Sequence, residues 1–141
     1  MKSNNEKLFT ELRSLRLPLD EYIVVASGPM GIRGLRTMKD VDILVSDDLW
    51  EELENKYDIF YEHDAVKIRL SENVEAMCQA SFGGVIRGSF TSAQQIAEKE
   101  IIGGLPFQNI QTTLYFKKQG TRDKDKNDVH LIEEWLENNI S

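Results

Sequence analysis

Two aspartates separated by one residue, Asp40 and Asp42, are the strongest indication of metal chemistry in this chain. They open an apolar, strand-like run that ends at Val45. Alternate side chains of an extended strand share a face, which would place the two carboxylates on one side, about 6.6 Å apart along the backbone. Carboxylates beside a buried strand are costly unless they are paired, hydrogen-bonded or bound to metal. We therefore interpret Asp40 and Asp42 as ligands of Mg²⁺, or of Mn²⁺ in its place; a solvated strand start is the alternative.

A third carboxylate commonly completes a magnesium site, because this ion prefers octahedral oxygen ligation and two-metal sites need bridging oxygens. Glu75 is our candidate for that ligand, since it lies in the strand-like run 73–80, where an acid would face a polar site or solvent. Glu72 is the competing choice. For either residue the alternative is an exposed strand position.

A turn upstream of the aspartates predicts a phosphate site. Ser27 and Gly28 follow a compact β-branched run, so a hydroxyl and backbone N–H groups would approach a phosphate there, particularly where a helix begins. Arg33 and Arg36 are three residues apart and would share one side of a helical turn, where both guanidinium groups could hold phosphate oxygens. Surface charge, or pairing with Asp40, is the alternative for the arginines.

The apolar periodicity predicts a single α/β domain spanning 1–141, with a β-rich middle. Short polar turns between the middle strands indicate that part of the sheet is antiparallel. Strands are predicted at 22–26, 41–45, 59–62, 66–70 and 73–80, and helices at 5–17, from 48 onward, at 91–99 and around 129–136. The run 110–118 is compatible with helix or strand, because it mixes helix formers with threonines and aromatic residues.

Local capping signals set the predicted helix starts. Asp48 to Glu51 and Thr91 to Gln94 both match a capping box. Glycine pairs at 83–84 and 103–104 predict turns or breaks in the chain.

Composition limits the class of protein. A chain of 141 residues is long enough for one domain with a real core and short for two. Hydrophobic residues make up 40% and charged residues 29%, as in an ordinary globular domain. The N-terminal segment lacks the apolar core of a signal peptide, and no run reaches membrane-spanning length, so we expect a cytoplasmic protein. The formal net charge of −7 disfavours extended nucleic-acid binding, which needs clustered Lys and Arg.

The order of these motifs resembles that of the small prokaryotic members of the nucleotidyltransferase superfamily, which share their core with DNA polymerase beta. In that superfamily a Gly-Ser turn follows the first strand, Asp-x-Asp begins the second, and a third acid comes from a later strand. The matching residues here are Ser27-Gly28, Asp40-Val41-Asp42 and Glu75, although the turn reads Ala-Ser-Gly-Pro. The segment 31–53 is similar to a Gly-Ile-Arg, Asp-Ile-Asp pattern of uncharacterised members. The resemblance covers most of the chain.

A second match lies near the C-terminus, where 120–128 is similar to a Gly-x-Arg-x-Lys-Asp-x-x-Asp motif of the same proteins. Taken alone, Lys118, Arg122 and Lys124 look like a solvated basic run. The resemblance implies instead that these cations contact phosphates or hold the last helix against the site. Asp125 and Asp128 would orient them.

The resemblance implies a mixed β-sheet flanked by helices, with a C-terminal helix packed on the core. It also implies a Mg²⁺-dependent transfer of a nucleoside monophosphate from a nucleoside triphosphate to an unidentified small-molecule or macromolecular acceptor. Ser27, Gly28 and Arg33 would hold phosphates, and Glu75 would complete the metal site and activate the acceptor. Two alternatives stay open: a catalytically inactive module of the same fold that binds nucleotide or a partner, and a toxin–antitoxin component.

Overall fold

The computed structural model describes residues 3–63, 65–82 and 90–139. These residues form a mixed α/β fold of six α-helices and seven strands. The helices are α1 (Asn4–Ser14), α2 (Gly28–Gly31), α3 (Asp47–Glu54), α4 (Ser92–Ala97), α5 (Ile110–Gln119) and α6 (Asp123–Asn138). The strands are β1 (Tyr22–Val25), β2 (Val41–Val45), β3 (Ile59–Glu62), β4 (Ala65–Ser71), β5 (Val74–Met77), β6 (Glu100–Ile102) and β7 (Leu105–Phe107), with a 3-10 turn at Gln79–Phe82.

All seven strands belong to one sheet with the order β3-β4-β5-β2-β1-β7-β6. In its centre β2 runs antiparallel to β1 and parallel to β5, while β7 runs parallel to β1. Antiparallel pairs form the two outer hairpins, β3–β4 and β6–β7. The predicted mixed sheet is therefore confirmed, and its antiparallel part includes the β-rich middle of the chain.

Register places one row of polar side chains across the sheet. Val25 pairs with Asp42, Asp42 pairs with Glu75, and Glu75 pairs with Arg69. Residues paired in this way point to the same face of the sheet. The adjacent row on that face is apolar and consists of Ile23, Leu44 and Met77.

The opposite face of the sheet carries the main core. Alternate residues of β1, β2 and β5 pack there with the apolar sides of α1 and α3. The buried members include Leu8, Phe9, Leu12, Tyr22, Val24, Ile43, Leu49, Leu53 and Phe107. Since this face is filled by core residues, the polar row and any site built on it must lie on the other face.

A separate apolar cluster attaches the C-terminal helix. Ile132 of α6 is fully buried with Met30 of α2 and with Ile110 and Leu114 of α5. This contact confirms the predicted packing of a C-terminal helix on the core. Within the described residues no helix combines the length and apolarity needed to cross a bilayer.

Two helix starts test the predicted capping. Thr91 caps α4 as expected, because its hydroxyl accepts a hydrogen bond from the Gln94 N–H at 3.1 Å. The start predicted at Asp48 is wrong by two residues: Ser46 caps α3 and accepts from the Leu49 N–H at 3.1 Å. A serine hydroxyl at this position leaves the following aspartates in the first turn, where the helix dipole favours negative charge.

The segment 110–118, for which helix and strand were both open, is helical within α5. The interruption expected at Gly103 and Gly104 is the tight turn of the β6–β7 hairpin, in which both glycines have positive φ. Sequence patterning missed these strands because each has only three residues. The predicted turn at 83–84 lies outside the described residues.

Candidate functional site

Asp42 and Asp40 lie close enough that the charge of Asp40 acts on the Asp42 carboxyl. Asp42 is half-buried at the second position of β2, whereas Asp40 is exposed just before the strand. Burial raises the pKa of Asp42 to about 6, and the negative charges of Asp40 and Glu75 add to that rise while Lys67 opposes it. A carboxylate whose charge is disfavoured in this way is a place where a bound cation would be stabilised.

Glu75 shares the face and the register of Asp42, but its carboxylate is already paired. Lys67 Nζ lies 3.6 Å from Glu75 Oε1, and an Arg69 guanidinium nitrogen lies 2.9 Å from Oε2. Lys67 also donates to Glu62 at 2.9 Å. Among the described residues no group of three or more His, Cys, Asp or Glu side chains is arranged to hold a metal ion. The structure thus brings the three predicted carboxylates to one area of the sheet, with Lys67 placed among them.

The turn at Ser27 and Gly28 lies at the same end of the sheet as the aspartates, because it follows Val25, the partner of Asp42. Gly28 is buried, and a Cβ added to it would lie 2.1 Å from Val24 Cγ1. The glycine is therefore required for α2 to approach β1, independently of any ligand. Ser27 is partly exposed, and its side chain makes no capping hydrogen bond.

The Arg33 side chain is held by tertiary contacts. Its side chain is only 6% exposed, it is ion-paired with Glu100, and it donates to the Pro29 carbonyl at 2.9 Å. Its guanidinium also lies 4.7 Å from the ring centroid of Trp135. A phosphate contact through Arg33 would have to compete with these interactions.

Arg36 is also ion-paired within the fold. It donates to Asp128 at 2.7 Å, and Lys117 Nζ approaches the same carboxylate oxygen at 2.9 Å. Asp128 is almost fully buried, so these two cations offset the cost of burying its charge. Arg33 and Arg36 therefore hold different parts of the fold together and do not face one common site.

The C-terminal motif builds the junction between α5 and α6. The Asp125 carboxylate accepts hydrogen bonds from the Arg122 backbone N–H at 3.3 Å and from its guanidinium at 3.1 and 3.2 Å. A Cβ on Gly120 would lie 2.2 Å from Asp125 Oδ2, which explains the glycine. Asp125 holds Arg122 as expected, but Asp128, expected to orient the same group of cations, pairs instead with Arg36 and Lys117. Lys124 is exposed on α6, and Lys118 pairs with Glu133 at 3.6 Å on the surface.

A cavity of about 630 Å³ opens on the face of the sheet that carries Asp42. Its apolar floor is formed by Val25, Leu44 and Met77, the first two of which neighbour Asp42 across or along the strands. Lys117 and Arg122 contribute the cationic part of its wall. This volume is typical of small-molecule sites. Of the predicted basic residues, the structure places Arg122 at the cavity, while Lys118 and Lys124 lie elsewhere.

Three buried polar side chains also line the cavity, and none of them was expected from the sequence. Thr113 Oγ1 donates to Gln108 Oε1 at 2.8 Å, and Gln108 Nε2 donates to Gln95 Oε1 at 2.7 Å. Gln95 Nε2 in turn donates to the Phe90 carbonyl at 2.9 Å. For Gln95 and Thr113 the one signal is a polar residue at a buried position of α4 or α5, whereas Gln108 lies directly after β7.

Aromatic rings border the same cavity. Phe90 stacks on Tyr115 with ring centroids 4.6 Å apart and an interplanar angle of 16°. Phe116 packs edge-on against Phe90 at 5.2 Å. Tyr115 and Phe116 are 42% and 43% exposed, so large apolar faces remain accessible at the mouth.

Comparison of the sequence with protein-family models and with curated proteins finds no match. The function must therefore be argued from the residues of the site.

Proposed function

We propose that this protein is a Mg²⁺-dependent nucleotidyltransferase, which moves a nucleoside monophosphate from a nucleoside triphosphate to an acceptor hydroxyl. One observation carries the proposal. A half-buried aspartate with a raised pKa stands beside a second aspartate and in register with Glu75, on the sheet face that also carries a cavity of ligand size. The three carboxylates lie outside the cavity lining, which Val25 and Leu44, the neighbours of Asp42, connect to them.

Asp40 and Asp42 fit the demands of magnesium. Proteins usually bind this ion through one or two carboxylates, with water and substrate phosphates completing the octahedron. A divalent cation beside Asp42 would offset the burial that mainly raises its pKa and the repulsion from neighbouring carboxylates that adds to it. When bound, Mg²⁺ would supply charge neutralisation for the triphosphate. Mn²⁺ would satisfy the same ligands.

The remaining polar groups would bind and orient the substrate. Lys117 and Arg122 supply positive charge at the cavity wall, where phosphate oxygens would compete with their pairing to Asp128 and Asp125. Ser27 and the backbone after it are near the aspartates and would contribute donors to the same phosphates. Glu75 would take the acceptor proton once Lys67 and Arg69 exchange their contacts with it for contacts with substrate.

Turnover with each common triphosphate tests the proposal. The purified protein, Mg²⁺ and an α-labelled triphosphate are incubated with small alcohols, RNA and protein acceptors, and pyrophosphate release and label transfer are measured. Replacing Asp40→Asn together with Asp42→Asn should lower the rate by about a hundredfold or more. Asp58→Asn, at an exposed carboxylate before β3, is the matched control and should keep the activity.

Activity that survives in the Asp40→Asn, Asp42→Asn protein would reject the metal-dependent mechanism. Absence of activity with every triphosphate and acceptor would reject the transferase itself.

A second function is favoured by the two ion pairs of Glu75. Lys67 and Arg69 already contact its carboxylate oxygens, which leaves them less available to an acceptor proton or a metal ion. A catalytically inactive module that binds the triphosphate would have this arrangement. Calorimetric binding of Mg²⁺ and triphosphate without pyrophosphate release would support the module, whereas binding with release supports the enzyme.

A further inference from the structure

The two buried glutamines at the cavity have orientations that a single backbone group determines. The Phe90 carbonyl can only accept, so Gln95 must turn its Nε2 toward it. Gln95 then presents Oε1 to Gln108, so Gln108 must donate to it from its own Nε2. Gln108 Oε1 is left to accept from the Thr113 hydroxyl. The amide orientations are therefore set by the network itself.

Among the residues that the structure describes, this network leaves one N–H of each glutamine amide without a partner. Each amide nitrogen carries two N–H groups, and the network uses one on Gln95 and one on Gln108. Both side chains are only 5% exposed, and both line the cavity. An unpaired buried N–H is more costly than a carbonyl that uses one of its two lone pairs. The cavity therefore favours a ligand that brings acceptors to this point.

The two spare donors belong to one small site, because the amides are in direct contact at 2.7 Å. A ligand edge with two neighbouring acceptors would satisfy both. Guanine presents such an edge through O6 and N7, whereas adenine presents one acceptor and one amino donor. An amino group placed against these amides would leave a donor without a partner.

The rest of the cavity suits a purine. Val25, Leu44 and Met77 give an apolar floor, and the exposed face of Tyr115 offers a stacking surface. Phe90 joins the two parts, since its carbonyl holds Gln95 and its ring stacks on Tyr115. Lys117 and Arg122 lie on the wall, where they could meet the phosphates of a nucleotide.

We propose that the cavity binds a 6-oxopurine ring, with Gln95 and Gln108 donating to its acceptor edge, and that guanine is the base of the nucleotide used. The choice of nucleotide rests on the proposed transferase function. Binding of the ring itself depends only on the cavity.

Nucleosides test binding of the purine ring separately from the nucleotide used by the transferase, because they lack phosphate and need no metal. Calorimetry without Mg²⁺ compares inosine with adenosine, which differ at position 6 in carrying a carbonyl or an amino group. Inosine should bind about tenfold more tightly, since adenosine leaves a buried donor unpaired. Gln108→Met should reduce this ratio to near one, while Gln111→Met, at an exposed position of α5, should leave it unchanged.

Equal binding of inosine and adenosine to the unaltered protein would overturn the base assignment whether or not Gln108→Met folds. A ratio that persists in a folded Gln108→Met protein would also overturn it. Inosine selectivity without turnover of any triphosphate would reject the transferase and keep the base site. Turnover with no preference among purine triphosphates would keep the transferase and reject the base site.

Discussion

Replacing Asp42 with asparagine should stabilise the protein at neutral pH. The Asp42 carboxylate is half-buried, has no hydrogen-bond partner among the described residues, and lies beside the negative charges of Asp40 and Glu75. Asparagine has nearly the same shape and no charge. The substitution should therefore remove a destabilising electrostatic interaction without creating a cavity.

The magnitude follows from the pKa. A pKa difference of one corresponds to about 1.4 kcal/mol between the two protonation states. Burial and neighbouring carboxylates raise the pKa of Asp42 from 3.8 to about 6, so its ionisation lowers the free energy of unfolding by roughly 3 kcal/mol. The attraction of Lys67 is already contained in that value, since it lowers the same pKa.

The pH dependence has a definite sign. Between about pH 4 and pH 6 the folded protein holds a proton on Asp42 that the unfolded chain has released, so stability falls as pH rises through this window. Above about pH 6 both states are ionised, and the full penalty is present. Below about pH 4 both are protonated, and the penalty disappears. The gain from Asp42→Asn should appear only at the higher pH.

Urea unfolding of Asp42→Asn and the unaltered protein at about pH 8 and about pH 4 measures the difference. We expect the variant to be more stable by up to about 3 kcal/mol at the higher pH and equal at the lower one. Asp58→Asn, at an exposed position, should show no such difference. A variant that is less stable at the higher pH, or equally altered at both, would refute the reasoning.

Two further substitutions test the elements that position the site. Gly28→Ala should destabilise the fold by about 1 to 3 kcal/mol, because its Cβ would lie 2.1 Å from Val24 Cγ1. Thermal unfolding measures this loss of stability. Adding Val24→Ala should recover part of it, since the smaller side chain makes room for the new Cβ. Glu11→Gln should lose roughly 1 kcal/mol near neutral pH and nothing at low pH. Partial burial raises the pKa of Glu11, but hydrogen bonds from Ser71 and Asn73 outweigh it and lower that pKa. The stabilisation that Glu11 contributes is therefore present above its ordinary pKa and is lost as pH falls. In chemical denaturation, an equal loss of stability at both pH values would contradict this sign.

Local patterns were sufficient for much of the fold. The apolar run 41–45 predicts a buried strand, and β2 spans those residues with Asp42 as its one partly exposed position. The Thr91 cap depends only on residues within one turn, so it could be read directly from the sequence. The C-terminal helix was predicted from its own apolar stripe, which Ile132 anchors.

Contacts between distant segments decided what the charged residues do. Arg36 meets Asp128 across 92 residues of sequence, and Arg33 meets Glu100 across 67 residues. Local spacing predicts which side of a turn an arginine occupies, but it carries no information about the carboxylate brought to it by folding. The phosphate role predicted for Arg33 and Arg36 remains a prediction that must compete with those partners.

The amino-acid sequence by itself determined that Asp40 and Asp42 stand at the start of a buried strand, because strand periodicity is a property of neighbouring residues. Only the tertiary structure placed Glu75 in register with Asp42 and Lys67 beside both, since register is set by the packing of whole strands. It alone joined Gln95, Gln108 and Thr113 into one network, because each residue's partner lies on another element or beyond a turn. Burial and pairing, which control the charge and donor capacity of a side chain, arise only when the segments come together.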